Sequence, residues 1–268
     1  MLRSMYSGIS GLRNFQTKLD VIGNNIANVN TFGFKKGRVV FKDMISQNMS
    51  GATGPRDDGS RGGVNPKQVG LGSQLSAIDT VHTGGNLQST GRTLDLAISG
   101  DGYFIVGAEG GDNASYTRAG NFYLDNNGDL VTADGLYVLT SDFNKINIPI
   151  TAKDLSIGTD GTVTYLEEDG VTLNTDQKIG LAKFANTGGL QKVGNNLYKS
   201  TTNSGEADVS EEARASLGTI ESSMLEMSNV DLSEEFTEMI VAQRGFQANT
   251  RIITTSDEIL QELVNLKR

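Results

Sequence analysis

Toward the end of the chain, Leu225, Leu232, Met239, Phe246, Ile253 and Leu260 recur every seven residues. That period marks a helix whose apolar positions line up as a seam. The intermediate positions, Ser228, Glu235, Ala242, Asn249 and Ser256, are mostly polar or small, so the seam is narrow. Asn229 or Asp231 is placed to cap the start of this helix. Glu234 and Glu235 suit the positive end of its dipole, and Lys267 and Arg268 suit the negative end. The helix predicted from about Leu232 to Leu266 holds roughly 35 residues and is ~50 Å long. A small domain cannot cover that length, so most of the seam needs partners outside its own domain.

A second seam opens the chain, with Leu2, Met5, Ile9, Leu12, Leu19 and Ile26 at three-four spacing and Gln16 and Gly23 in the remaining slots. It predicts one amphipathic helix that ends near the cluster Asn24, Asn25, Asn28 and Asn30. Between about Leu71 and Ser200 the texture changes to short alternating runs such as Tyr103–Val106, Leu136–Leu139 and Thr162–Tyr165, which read as strands. Asp101-Gly102, Asn127-Gly128, Asp134-Gly135, Asp160-Gly161 and Asp169-Gly170 punctuate them, because these dipeptides accept the positive φ of tight hairpins. The predicted fold class is α+β: terminal helices forming a coiled-coil-like domain (1–30 with 229–268), an extended connector (31–70 with 205–228), and a central all-β domain (71–204). Within the connector, the Gly-, Pro- and charge-rich stretch Met49–Gln68 has too little apolar surface to order itself, and is expected to be mobile or ordered by a partner.

Chemistry finds little to hold on to. With 23 Lys and Arg against 32 Asp and Glu, the formal charge of -9 opposes a phosphate backbone, so no nucleic-acid partner is expected. There is no Cys, and His82 is the only histidine, which removes thiolate chemistry and any multi-histidine metal site. "DNNGD" from Asp125 has its glycine at the fourth position rather than the sixth that a calcium loop requires, and reads as a hairpin turn. The acidic groups at Glu167-Glu168-Asp169 and Glu206-Ala207-Asp208 lie in polar, turn-like contexts where solvation is the ordinary outcome. No catalytic residue, metal or cofactor is expected. The first twenty residues carry no continuous apolar core of a cleaved leader and no membrane span, so export, if it occurs, needs another route.

Four ordered stretches carry a resemblance. "SGISGLRNFQTKLDVIGNNIANVNTFGFKKGRVVF", "LDLAISGDGYFIV", "YTRAGNFYLDNNGDLVTADG" and "SNVDLSEEFTEMIVAQRGFQANTRIITTSDEILQELVNL" are similar to the bacterial flagellar rod and hook family, in the family's order and over nearly the whole chain. The resemblance implies a structural subunit that polymerises into a helical tube, with the two terminal helices packed in the inner wall. It places Leu2, Met5, Ile9, Leu12, Leu19, Ile26, Asn28, Leu232, Met239, Phe246, Asn249, Ile253, Leu260 and Leu263 at subunit contacts. It makes the asparagine cluster a helix exit, with Gly33 turning the chain and Phe32 and Phe34 anchoring the connector in packed surfaces. The implied partners are copies of itself, rod subunits, the hook cap, the hook–filament junction proteins and the flagellar type III export apparatus, with no membrane insertion. The implied location is the extracellular hook or the basal body. Phe246-Gln247, where distal-rod proteins more often carry a Tyr-Glu pair, makes the expected member a hook subunit, part of a flexible tube that couples the rod to the filament and transmits torque; the compact length resembles the rod, and a rigid distal-rod subunit is the alternative. A secreted β-rich enzyme would need a convergent polar pocket that one His and no Cys do not supply, and a binding module would work through the β-domain alone, as a monomer.

Overall fold

The computed structural model describes residues 2–266 apart from 56–61, 112, 168–171, 211–213 and 215. The expected Asp169-Gly170 turn, the acidic residues Glu168 and Asp169, the middle of the Met49–Gln68 stretch, and Lys267 and Arg268 lie outside the described residues. The α+β arrangement read from the sequence is present: helix α1 spans Leu2–Ala27, helix α2 spans Leu232–Asn265, and strands fill the middle. The chain divides into two compact units, one of residues 1–26, 37–79 and 231–268, the other of residues 27–36 and 80–230.

In the first unit α1 and α2 run antiparallel. Gly8 faces Ile253, Gly11 faces Asn249 and Phe15 faces Gly245, Lys18 pairs with Glu238, and the buried Asn25 donates to Glu235 Oε2 at 3.2 Å. A methyl group added at Gly245 would sit 2.6 Å from the Phe15 ring, and one at Gly11 would sit 2.5 Å from the Asn249 amide, so the helices approach through missing side chains. Residues 8, 11, 15, 18 and 25 also follow three-four spacing, but one position ahead of the apolar seam read from the sequence. That seam is left on the flank: Met5, Leu12, Leu19 and Ile26 are half-buried and Ile9 is exposed. On α2 the small or polar positions Glu235, Ala242 and Ser256 are the buried ones. Asp231 caps α2, accepting from Ser233 N at 2.8 Å and Glu234 N at 3.4 Å, while Asn229 has a different task, described below.

Strands β1 (Gly37–Asp43) and β4 (Ser73–Thr80) pair beside α1, where Phe15 meets Phe41 edge-on at 6.4 Å between centroids. Between them β2 (Ser46–Ser50) and β3 (Lys67–Gly70) form a ribbon that Thr53 and Val64 extend by one bridge. The flanks of the Met49–Gln68 stretch are therefore paired within the chain rather than left without structure. Main-chain N–H and C=O groups pair without apolar side chains, so a ribbon forms here despite the low apolar content. α1 ends at Ala27, past Asn24 and Asn25, so two of the four asparagines are helical. Besides its bond to Glu235, Asn25 donates to Gly37 O and accepts from Gly37 N, each at 2.9 Å.

The second unit is built on an antiparallel sheet. Strands β7 (Tyr103–Gly107), β8 (Ser115–Thr117), β11 (Tyr137–Val138) and β15 (Leu181–Ala182) form its centre; β16 (Gln191–Gly194), β17 (Leu197–Lys199), β10 (Leu130–Val131) and β9 (Tyr123–Leu124) extend it. Strand β7 is buried throughout, and its alternation feeds two cores. Phe104 and Val106 point into one with Leu96, Phe122, Val163 and Ile220; Tyr103 and Ile105 point into the other with Tyr116, Leu139 and Tyr198. A three-stranded sheet, β12 (Lys153–Ile157), β13 (Thr162–Leu166) and β14 (Leu173–Lys178), and the pairs of β6 (Leu96–Ser99) with β18 (Thr219–Ser222) and β5 (Leu87–Ser89) with β19 (Met224–Glu226) complete the unit. Among the described residues, the glycines expected at turns have positive φ: Gly102, Gly128, Gly135 and Gly161 lie at +131°, +83°, +81° and +78°.

Candidate functional site

Two features of the chain call for a use. One is the segment 27–36, "ANVNTFGFKK", which is bound tightly to the β-rich unit. Asn28 starts a turn in which Thr31 N bonds Asn28 O at 3.1 Å and Phe34 N bonds Thr31 O at 3.3 Å. Gly33 lies in the left-handed region at φ +68° and donates to Glu226 O at 2.8 Å. Its Cα hydrogen faces the backbone of Arg118 and Ala119, from which an added Cβ would be 2.6 Å away. Phe34 is buried, with Lys192 Nζ 4.8 Å from its ring centroid, whereas Phe32 is half-buried and offers its carbonyl to Asn196 Nδ2 at 3.1 Å.

The segment's centre is Lys35, which sequence reading left out. Its side chain has 0% exposure; Nζ lies 2.5 Å from Glu226 Oε1 and donates to Thr83 O at 2.8 Å. Arg118 Nη1 holds the other carboxylate oxygen at 3.3 Å, and Gly85 N donates to Oε1 at 2.9 Å. Burial pulls the Lys35 ammonium below its ordinary pKa, the Glu226 carboxylate opposes that pull, and Arg118 adds to it. Asn229, considered from sequence only as a helix cap, closes the far end. It accepts from Lys36 N at 2.8 Å and donates to Val81 O at 2.9 Å and Thr83 Oγ1 at 3.0 Å. The one sequence signal for this cluster was the adjacency of Lys35 to a Phe-Gly-Phe run, which places a charge where the neighbours are set to be buried.

His82 sits over the same cluster. One ring nitrogen, Nδ1, lies 2.7 Å from the Tyr103 hydroxyl, and Nε2 is buried without a hydrogen-bond partner among the described residues. Burial, reinforced by the positive charges of Lys35, Lys192 and Arg118, lowers its pKa to about 4. Burial raises that of Tyr103 to about 12. A histidine depressed in the folded state takes up its proton first in the unfolded chain. Stability is therefore lost as pH falls from about 6.5 through 4, by up to about 2 kcal/mol once the ring's partial exposure is allowed for. Urea midpoints of wild type and His82→Phe at pH 7 and 4.5 check this. The variant should lose less on acidification, and equal losses in the two proteins would remove His82 as the source.

The other feature is the apolar surface the helices leave open. Tyr6 on α1 is 69% exposed, and Phe236, Ile240, Val241, Ile252, Ile259 and Val264 on α2 are all exposed. Of the residues expected at subunit contacts, Ile253 and Asn249 are half-buried against α1, Met239 and Leu260 are half-buried, and Leu232, Phe246 and Leu263 are exposed. Leu2 opens α1. Among the described residues no helix is long and apolar enough to cross a membrane. Surface of this kind on a water-exposed helix is an interaction face.

Known families match three stretches of the chain. Residues 5–35 match the family described as flagella basal body rod protein, residues 97–165 the flagellar hook protein FlgE/F/G D1 domain, and residues 221–266 the flagellar basal body rod FlgEFG protein C-terminal. The chain is 60% identical over 269 residues to the flagellar basal-body rod protein FlgG of Bacillus subtilis (strain 168), covering 100% of both chains. It is 38% identical to FlgG of Agrobacterium fabrum (strain C58), covering 96% of this chain and 97% of the relative. The flagellar hook protein FlgE of Borreliella burgdorferi matches at 34% over 445 aligned positions, with 100% of both chains covered.

Proposed function

From the premise that this chain belongs to the bacterial flagellar rod and hook family, a family of structural components of the basal body and hook, we propose that it is a distal rod subunit, one element of the rigid shaft rather than of the flexible hook. The observation that carries the reading is the 60% identity, end to end, to a relative named as a rod protein. The hook relative needs 445 aligned positions to meet the 268 residues of this chain, so it carries inserted sequence that this chain lacks. The hook assignment drawn from Phe246-Gln247 gives way on this point: two side chains of one helix weigh less than a whole-length match.

The proposed mode of action is mechanical. Copies stack through heterologous contacts that do not close on themselves, with the helices of residues 1–30 and 229–268 toward the inside of the tube and residues 71–204 outward. The exposed apolar residues of α1 and α2 support this reading, since they need covering and sit on the elements assigned to the inner wall. Its partners are then copies of itself and the rod and hook subunits that precede and follow it. The hook cap and hook–filament junction proteins drop out as direct neighbours, and delivery runs through the flagellar type III export apparatus.

Removal of the chain from a motile strain tests the assignment. Basal bodies isolated from such cells should end at a shortened rod with no hook attached, and the cells should not swim. Basal bodies with a complete rod and only the hook missing would return the assignment to the hook.

A further inference from the structure

Beside the first half of α1 lies an open groove of about 550 Å³, floored by Tyr6, Ile9, Met44, Leu71 and Leu75 and bordered by the exposed Arg3 and Arg13. Among the described residues nothing fills it, and neither arginine makes an ion pair with any of them. The last turns of α2 carry complementary chemistry. The Gly8–Ile253 and Gly11–Asn249 contacts set the register of the two helices; continued, it puts Leu2 opposite about Glu258. Ile259–Leu266 therefore has no described residue of α1 beside it. In that stretch Ile259, Leu263 and Val264 are exposed and Leu266 is 81% exposed, while Glu258 and Glu262 place two carboxylates along the same turns, also without an ion pair among the described residues.

We propose that the groove is the seat for the end of α2 of a second copy of this chain, with Ile259 and Leu263 entering the apolar floor and Glu258 and Glu262 facing Arg3 and Arg13. The inference rests on the polymer reading above and deepens it by naming which surfaces meet. A helix laying spaced apolar anchors into a groove, flanked by opposite charges, is a general recognition mode. The occupant is not the chain's own tail. The groove is centred near Ile9, whereas Leu263 lies past the start of α1 on a straight helix that continues away from it, roughly ten residues or ~15 Å along the axis. The same separation fixes the geometry between copies: a lateral neighbour displaced by ~15 Å along the helix axis brings its tail to the groove. Because tail and groove are different surfaces of one chain, each copy receives one neighbour and enters another, so the contact propagates and does not close into a pair.

The absence of Cys makes the test direct. Ile9→Cys/Leu263→Cys is introduced into the chain, basal bodies are isolated and oxidised, and the product is run without reductant. The expected result is a ladder of dimers, trimers and higher multimers that reductant collapses, with neither single variant giving more than a dimer. A second pair, Leu75→Cys/Ile259→Cys, reads the same contact if the first variant does not assemble. In a separate arm, Arg13→Glu should lower the number of subunits incorporated about tenfold, and Glu262→Arg in the same chain should restore it. Rods of normal length with only monomer on the gel, from either pair that assembles, overturn the contact while leaving the subunit assignment intact. Cross-linking that stops at dimers replaces it with a reciprocal contact. A wild-type chain absent from the isolated axial structure would instead remove the assignment on which the inference stands.

Discussion

Glu226→Ala is expected to destabilise the β-rich unit by about 3–5 kcal/mol, because it leaves the buried charges of Lys35 and Arg118 without their shared carboxylate. Two cations held by one anion in a site with no exposure have no route to water short of releasing the segment 27–36. The loss should therefore appear first as proteolytic cleavage between Ala27 and Lys36 and then as a lower urea midpoint. Glu226→Gln should be intermediate, keeping an acceptor for Lys35 and losing the charge. Lys35→Met/Glu226→Leu should recover part of the loss by removing the ammonium as well as the carboxylate. A fall in unfolding free energy below about 1 kcal/mol for Glu226→Ala would mean that the cluster is hydrated and does not hold the segment.

Gly33→Ala should cost a comparable amount, ~3 kcal/mol or more, by a different cause. The backbone at Gly33 is left-handed, which costs an L-residue roughly 1–2 kcal/mol, and the added carbon must also displace the main chain of Arg118 and Ala119 from 2.6 Å. Gly33→Asn separates the two causes. Asparagine tolerates positive φ but brings the same Cβ, so it should be as damaging as alanine if the close approach dominates and markedly milder if the dihedral does. Chemical denaturation of the three proteins side by side gives the answer. Because Gly33 and Glu226 act on one segment, Gly33→Ala combined with Glu226→Ala should lose less than the sum of the single losses.

The sequence was most informative where structure follows from period and turn chemistry. The long helix was expected over Leu232–Leu266 and spans Leu232–Asn265, with Asp231 as its cap; β7 and β13 fall on the runs read as strands. It was least informative where a residue type acts against its usual role. The contact between α1 and α2 sets Gly8, Gly11 and Gly245 against Ile253, Asn249 and Phe15; glycines carry no hydrophobic signal, so on α1 the apolar period picks out the neighbouring stripe, while on α2 it includes Ile253. Lys35 carries no local sign of burial, because a lysine is rarely buried without a partner and its partner lies 191 residues away. The strands β2 and β3 pair through main chain in a stretch whose composition gave no reason to expect them. Of the segment 27–36, Gly33 and Phe34 were recognised as a turn and an anchor, whereas Glu226, Arg118 and Asn229 had no local sign of belonging to it.

The distance in sequence between Lys35 and Glu226 also sets an order of events. A chain delivered from its N-terminus presents "NTFGFKK" long before the carboxylate that neutralises it has emerged. Until residue 226 is free, Lys35 and Arg118 lack their carboxylate, and the segment has only holds such as Asn196 and Lys192 on the carbonyls of Phe32 and Lys35. Closure of so distant a pair comes late, since the loop entropy must be met before the contact returns anything. The ion pair then works as an end-of-message mark: the segment that follows α1 locks only when nearly the whole chain has been delivered.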